Sequence, residues 1–383
     1  MHTPEIMTEK TRDLVAGIEE NSMSHPEISD ALTVDLVSHL MDQCSLVEVQ
    51  ERYDAYRKSS KGELGKYPLA SDGYVESFDA LTQELDLFEY WRRFGVVAGK
   101  QVVAEGVSQN AINRVKDITL NISGEECDLD KPETYAELPR DENDVPILTR
   151  GFFEVYHDDS LAQIRQSLRS YLHQVVLWGR ADLWTTFDRF GVKLPNHGES
   201  IALPLHVDQN PHEHPMFRTI QGVIALSDCP EDRGTLVTVP GSKSLFSKYG
   251  EFAELQGEYV ELDLENEVAA TLQEHAQPMP LRQGDIINWD SRTTHANTAN
   301  TSNETRFIAL AASGIARTDS QRLVTIRNQA FMSGSGSNVR DAYMHASKPP
   351  RYSNPEVLSY VRQPEQLTTL GRLLYGQESY AEL

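Results

Sequence analysis

Between Trp184 and Ala312 the chain is a succession of short apolar runs cut by turns, among them Phe187–Leu194, Thr219–Leu226 and Gly234–Gly241. Runs of this length, bounded by Gly, Pro, Asn and Asp, read as strands rather than helices. Many short strands with frequent turns predict a double-sheet jelly roll. The expected fold class is therefore mainly β with flanking helices, around a double-stranded β-helix core of the cupin-like kind. Such a core brings widely separated strands to a common mouth, so residues far apart in sequence can share one site.

Two such residues stand out. His206-Val207-Asp208 follows the apolar stretch Ile201–Leu205, and His295 comes 89 positions after His206. On extended chain the period of two sends His206 and Asp208 to the same side. Two imidazoles and one carboxylate can occupy one face of an octahedral metal and leave the opposite face open, the 2-His-1-carboxylate set of non-haem Fe(II) oxygenases. His295 follows Gly284–Asp290, a turn and a short strand. Arg306 opens Arg306–Ala312, which reads as the next strand of a hairpin. An arginine there offers a planar fork for the remote carboxylate of a 2-oxoacid.

Each element alone has a bland explanation. An H-x-D is common in polar loops, a lone histidine is usually surface or satisfied core, and a strand arginine is usually solvated. The metal reading rests on their combination. His212 and His214 form a second metal site or, within turn-forming Asn210–Pro215, line a lid. Arg218 and Arg292 are candidates to receive a carboxylate or phosphate of the substrate, and for Arg292 a structural salt bridge to Asp290 accounts equally well. Trp184 and Trp289 read as core or pocket wall. Arg317, Arg322 and Arg327 follow the core strands and read as surface residues.

The chain of 383 residues has 39% hydrophobic and 24% charged residues and a formal charge of -23. It can bury a substantial core. The charge excludes a general nucleic-acid surface, since phosphate neutralisation needs clustered Lys and Arg. An anionic small substrate stays open, because one basic pocket is enough for it. Cys44, Cys127 and Cys229 are odd in number and far apart, which excludes a disulfide framework and a C-x-x-C site. The start, Met1–Glu5, lacks the basic and apolar regions of a signal peptide, and no apolar run reaches membrane-spanning length. The expected location is cytoplasmic, and the expected partner is a small molecule, with neither nucleic acid nor membrane.

Residues 26–60 read as helical. Ser29 or Asp30 caps a run through Met41, and Ser45 with Glu48 forms a capping box before a second helix. Ser59–Gly73 reads as a linker or surface loop. Phe94–Ala98 and Gln101–Ala104 are strand candidates, after which Ser108 caps a helix through Val115. Glu125–Asp144 is acidic, holds Pro132 and Pro139, and reads as an exposed loop. Ser160 begins a helix over Leu161–Leu172, and Ser333–Ser337 reads as a short flexible loop. The expected division is a helical extension over 1–88, the β-helix core with flanking helices over 89–315, and a loop-and-helix segment over 316–383 packing on the core. The terminal segments are expected to shape the substrate pocket or a homodimer contact.

These blocks, in this order, resemble the phytanoyl-CoA dioxygenase-like branch of Fe(II)/2-oxoglutarate oxygenases. Phe94–Val97 with Ser108 and its helix is similar to the family's opening, and Lys193-Leu194-Pro195 with Leu205–Gln209 to its metal-binding strand. Ala225–Asp228, Gly234-Thr235-Leu236 and Pro240–Lys243 resemble its Gly-x-Leu and Pro-Gly-Ser-His segment, with Lys243 in place of the histidine. Gly284–Asp285 through His295, Asn297 and Arg306 resembles the distal block. The likeness spans about residues 90 to 315, and the first 85 or so residues match no known pattern.

The resemblance implies His206, Asp208 and His295 as iron ligands, and Arg306, Asn297 and Lys193 around 2-oxoglutarate. Lys193 reads equally well as a lysine at a strand edge. It also implies O2 as cosubstrate, decarboxylation of 2-oxoglutarate to succinate and CO2, and usually hydroxylation of a C–H bond. Some relatives desaturate, close rings or halogenate. Halogenases of this kind carry a small residue where Asp208 stands, so halogenation is not expected. A cupin-like metalloenzyme without 2-oxoglutarate would need no Arg306, and a non-catalytic jelly roll would need no intact triad.

Overall fold

The computed structural model describes residues 5–141, 143–251, 260–262, 267–336 and 366–383. Its centre is a jelly roll of two sheets. The larger sheet runs β1 (Ser77–Phe78), β2 (Val96–Gly99), β12 (Ile286–Asp290), β8 (Ile220–Ala225), β14 (Arg306–Leu310), β6 (Phe190–Lys193), β4 (Phe152–Phe153) and β3 (Leu148–Thr149). To it β15 (Ser313–Ile315) joins β5 (Leu183–Thr185). The smaller sheet runs β10 (Val260–Glu261), β7 (Leu203–Val207), β13 (His295–Asn297), β9 (Leu236–Thr238) and β11 (Gln277–Met279).

Alternation along the strands decides which face each residue serves. On β14, Phe307 and Ala309 join a buried cluster with Ile112, Val115 and Ile118 of helix α5 (Glu105–Ile122). Arg306, Ile308 and Leu310 face the opposite way, into a cavity between the sheets. The same alternation turns Gln221 and Val223 of β8 and Trp289 of β12 inward.

The helices before the core are α1 (Glu9–Asn21), α2 (Pro26–Ser45), α3 (Val47–Lys58) and α4 (Glu84–Phe94). Their apolar faces share one buried cluster with α7 (Leu168–Trp178) and α10 (Thr369–Tyr375), so the two ends of the chain pack against each other. Among the described residues no helix is long and apolar enough to cross a membrane.

Several local expectations fail for identifiable reasons. Pro26 occupies the first turn of α2 with His25 as N-cap, so the helix begins before Ser29 and Asp30. Ser45 donates its hydroxyl back to Asp42 O at 2.8 Å, and Leu46 stands uncapped at the start of α3. Phe94 closes α4 rather than opening a strand. Gln101 adopts φ +44, which ends the extended run, and α5 starts after Ala104 with Ser108 buried inside it. The helix expected from Ser160 is two, α6 (Asp159–Arg165) and α7, divided at Gln166–Ser167. Residues 125–141 are no simple exposed loop, for Cys127, Leu129, Tyr135 and Leu138 pack beneath α5. Tyr67, inside the expected surface loop, is likewise buried.

β14 pairs with β6 and β8, whereas β13 pairs with β7 and β9. Arg306 therefore does not continue a hairpin from His295; the chain crosses between sheets. Arg327, expected at the surface, is fully buried in α9 (Gln321–Ser333). Its guanidinium donates to Leu374 O and Tyr375 O, the last carbonyls of α10, and lies 4.2 Å over the Phe187 ring. Arg317 and Arg322 are exposed as expected. Ser335 and Gly336 are buried, and Ser337 lies outside the described residues.

Candidate metal centre

His206 and His295 are Cα partners across β7 and β13, so both rings project to the same side. Their centroids lie 4.2 Å apart. Asp208 follows the end of β7 on the same face, and its Oδ2 is 3.5 Å from His295 Nε2. One donor atom from each of His206, Asp208 and His295 lies within 4.8 Å of the others. Among the described residues this is the only such group. His212 lies exposed on the turn beyond Asp208 with His214 half-buried, and neither joins it.

The local backbone explains the ring orientations. Register shifts between His295 and Asn297 because β7 bulges at Pro204–Leu205 opposite Ala296, and the missing N–H of Pro204 suits it to such an irregularity. Pro204 O then accepts from His206 Nδ1 at 2.8 Å, and Thr293 O accepts from His295 Nδ1 at 3.1 Å. A carbonyl only accepts, so both rings carry a proton on Nδ1 and turn Nε2 toward the cavity. Metal-binding imidazoles are commonly oriented in this way.

The carboxylate is oriented too. Trp289 Nε1 donates to Gln221 Oε1 at 2.7 Å, and Gln221 Nε2 donates to Asp208 Oδ2 at 2.8 Å. Burial alone would raise the Asp208 carboxyl. The His295 and His206 rings and the Gln221 amide outweigh it and hold the group well below the usual carboxylate range. Trp289 also lies 5.0 Å from the His295 ring. Gln221 was missed in the sequence, although a signal existed: it is the inward polar residue of an otherwise apolar strand.

The cavity that holds the triad continues to Arg306, Lys193 and Asn297. Arg306 and Lys193 are Cα partners on β14 and β6. Arg306 is buried; Nη1 donates to Gly234 O, while Nε has no hydrogen-bond partner and no carboxylate pairs with the group among the described residues. Burial pulls this guanidinium down to about 10, so it stays charged at neutral pH. Lys193 is buried on β6, a strand paired on both sides rather than an edge; burial and the neighbouring Arg306 push its ammonium down to about 6. Its Nζ nonetheless donates to Ile201 O, Asn297 Oδ1 and Thr298 O. Those bonds tie Lys193 to the strand that carries His295. Gly234, whose O accepts from Arg306, has φ +70, and a Cβ there would fall 2.7 Å from Lys193 Cδ.

Two candidate substrate residues lie elsewhere. Arg292 is fully buried away from the cavity, its Nη2 donating to Asp290 Oδ2 at 2.6 Å, so the salt-bridge account holds. Arg218 is half-buried and does not line the cavity. Arg150 and Arg189 stand there instead. Trp184 is core.

A model of the family described as phytanoyl-CoA dioxygenase (PhyH) matches residues 91–308, more than half of the chain. No curated protein matches it. Similar solved structures include the epimerase SnoN in complex with Fe3+, alpha ketoglutarate and nogalamycin RO. It is 19% identical over 60% of this chain and 82% of that one, with a TM-score of 0.44. The non-heme monooxygenase ThoJ in its nickel complex is 18% identical over 61% and 78%, with a TM-score of 0.39. EctD from S. alaskensis in its apoform is 14% identical over 67% and 81%, with a TM-score of 0.40.

Proposed function

This chain belongs to the phytanoyl-CoA dioxygenase (PhyH) family, and from that premise we propose that it is an Fe(II)- and 2-oxoglutarate-dependent dioxygenase that hydroxylates a C–H bond of a small molecule. The observation that carries the reading is Arg306, a buried cation without a carboxylate partner among the described residues, opening into the cavity of the triad. A buried guanidinium is costly unless an anion meets it. A diacid fits that need: one carboxylate answers Arg306 while its 2-oxoacid end reaches toward the triad.

His206 and His295 would hold the metal through Nε2, and Asp208 would complete the face. Bound iron supplies activation of O2 coupled to decarboxylation of 2-oxoglutarate to succinate and CO2. The Trp289–Gln221 chain keeps the Asp208 carboxylate turned to the donor set. Lys193 stands beside Arg306 and holds Asn297 in the cavity wall. Ile308, Leu236 and Leu281 exclude water around the acid. The occupancy of the carboxylate position by Asp208 supports oxygen transfer over halogenation.

Anaerobic titration of the Fe(II)-loaded protein with 2-oxoglutarate tests the reading. A weak visible metal-to-ligand charge-transfer band is expected, followed under air by succinate release that a substrate stimulates. Verified iron loading without the band would refute it.

A further inference from the structure

We infer that Tyr56, outside the family match, is a positioning residue for the metal centre: with Lys243 it holds the loop that presents His295 against the turn that follows Asp208. The inference rests on the proposed ligand role of these residues.

The loop from Asp290 to Thr294 is wholly buried and is fastened from the N-terminal side. Tyr56 of α3 donates its hydroxyl to Asp290 Oδ2 at 2.6 Å. Arg292 binds the same carboxylate, and its Nη1 donates to Ser59 O at 3.0 Å just beyond α3. The other ligand arm converges on the same point. Phe217, at the end of the turn after Asp208, packs 5.7 Å from the Tyr56 ring. Within that turn Gln209 donates to His214 O and Met216 O, while its Oε1 accepts from Ser291 Oγ at 2.6 Å. Ser291 and Gln209 thus join the two arms directly, and Tyr56 braces both.

Lys243 explains itself in this setting. It is buried, with Nζ 4.2 Å over the Tyr56 ring, a cation–π contact strengthened by desolvation. Gly95, at φ +67, leaves room for it: a Cβ there would lie 2.6 Å from Thr293 Oγ1 and 3.0 Å from Lys243 Cδ. The position that departs from the family's Pro-Gly-Ser-His pattern therefore contacts a helix outside the family match. Since His295 Nδ1 is aimed by Thr293 O, a shift of this loop moves a ligand nitrogen. Metal centres tolerate only about 0.5 Å of such displacement.

Tyr56→Phe deletes only the hydroxyl, and Lys243→Met removes the charge while keeping length. In the full chain, Fe(II) affinity should fall about tenfold in Tyr56→Phe. Amide exchange should accelerate together in 290–295 and 209–217, and Lys243→Met should change both readouts in the same direction. Lower thermal stability with Fe(II) affinity within about twofold of wild type and unaltered exchange would reduce Tyr56 to packing. Should Tyr56→Phe fail to fold, Lys243→Met is judged by the same two readouts. Wild-type protein that binds no Fe(II) would overturn the proposed function itself, whereas normal wild-type loading with indifferent variants would overturn this inference alone.

Discussion

Arg306→Met would remove a buried charge and its fork while keeping most of the side-chain volume. With Nη1 held by Gly234 O, the remaining donors, Nε and Nη2, are those left for an incoming carboxylate. Two hydrogen bonds to a charged partner contribute about 1.5–3 kcal/mol each, which sets a span of about 3–6 kcal/mol. Two effects pull toward its lower end. The substitution relieves the desolvation that already depresses Arg306, and it removes the repulsion that helps depress Lys193, which can then partly substitute. A loss of about 3 kcal/mol weakens 2-oxoglutarate binding about 150-fold. The assay is the anaerobic charge-transfer titration at saturating Fe(II), with iron affinity measured separately and expected within about threefold of wild type. Binding of 2-oxoglutarate within about fivefold of wild type would refute the clamp. Collapse of iron loading would make Arg306 a structural residue of the metal centre.

Asp208→Ala and His295→Ala should each weaken Fe(II) binding and abolish turnover, by metal analysis and succinate release; normal turnover in either would exclude the triad. Gln221→Leu leaves all three ligands but frees the carboxylate, so iron affinity should drop about tenfold, and no change would show that Asp208 needs no orientation. His173, fully buried in α7 with no hydrogen-bond partner at either ring nitrogen among the described residues, is pulled down to about 3 by burial. Its folded-state pKa lies below its unfolded value, so the unfolded chain binds the extra proton between about pH 6.5 and 3 and stability falls as pH falls through that window. Relative to wild type, metal-free His173→Met should gain about 2 kcal/mol between pH 7 and pH 5 in urea unfolding, and a difference that stays constant would mean His173 titrates normally.

The strands of the core were legible because burial on one face imposes a period of two that survives any detail of packing. Phe190–Lys193, Ile220–Ala225 and Arg306–Leu310 fall inside the expected runs. Pairing was not legible. Nothing in Arg306–Ala312 states that its strand joins β6 and β8 rather than the strand of His295, because hydrogen-bond partners are chosen by the whole sheet. Helix ends failed where one residue overrode the pattern, as Pro26 did for α2 and Gln101 for the run before α5. The triad was legible for a different reason: metal chemistry dictates residue type, so His, Asp and His at strand ends leave few alternatives. Gln221 carries only the signal of an inward polar residue on an apolar strand, and Tyr56 carries none, since any donor of suitable reach would serve. Tyr56 is 234 positions from the Asp290 it holds.

Arg292 and Arg306 show where sequence proximity stops being informative. Each has an acidic residue two positions before it, Asp290 and Glu304. On that pattern both arginines are self-neutralised, or both are available to a ligand. In the fold Asp290 ends a central strand and is fully buried, so its carboxylate neutralises the equally buried Arg292 at 2.6 Å. Glu304 lies in the loop before β14 with its side chain 70% exposed, and it pairs with Arg233 at 2.7 Å. Arg306 points inward from the next strand, beyond the reach of that carboxylate. Water can solvate Glu304 but not Arg306, and so the same dipeptide spacing closes one arginine and leaves the other to demand an anion from outside the chain.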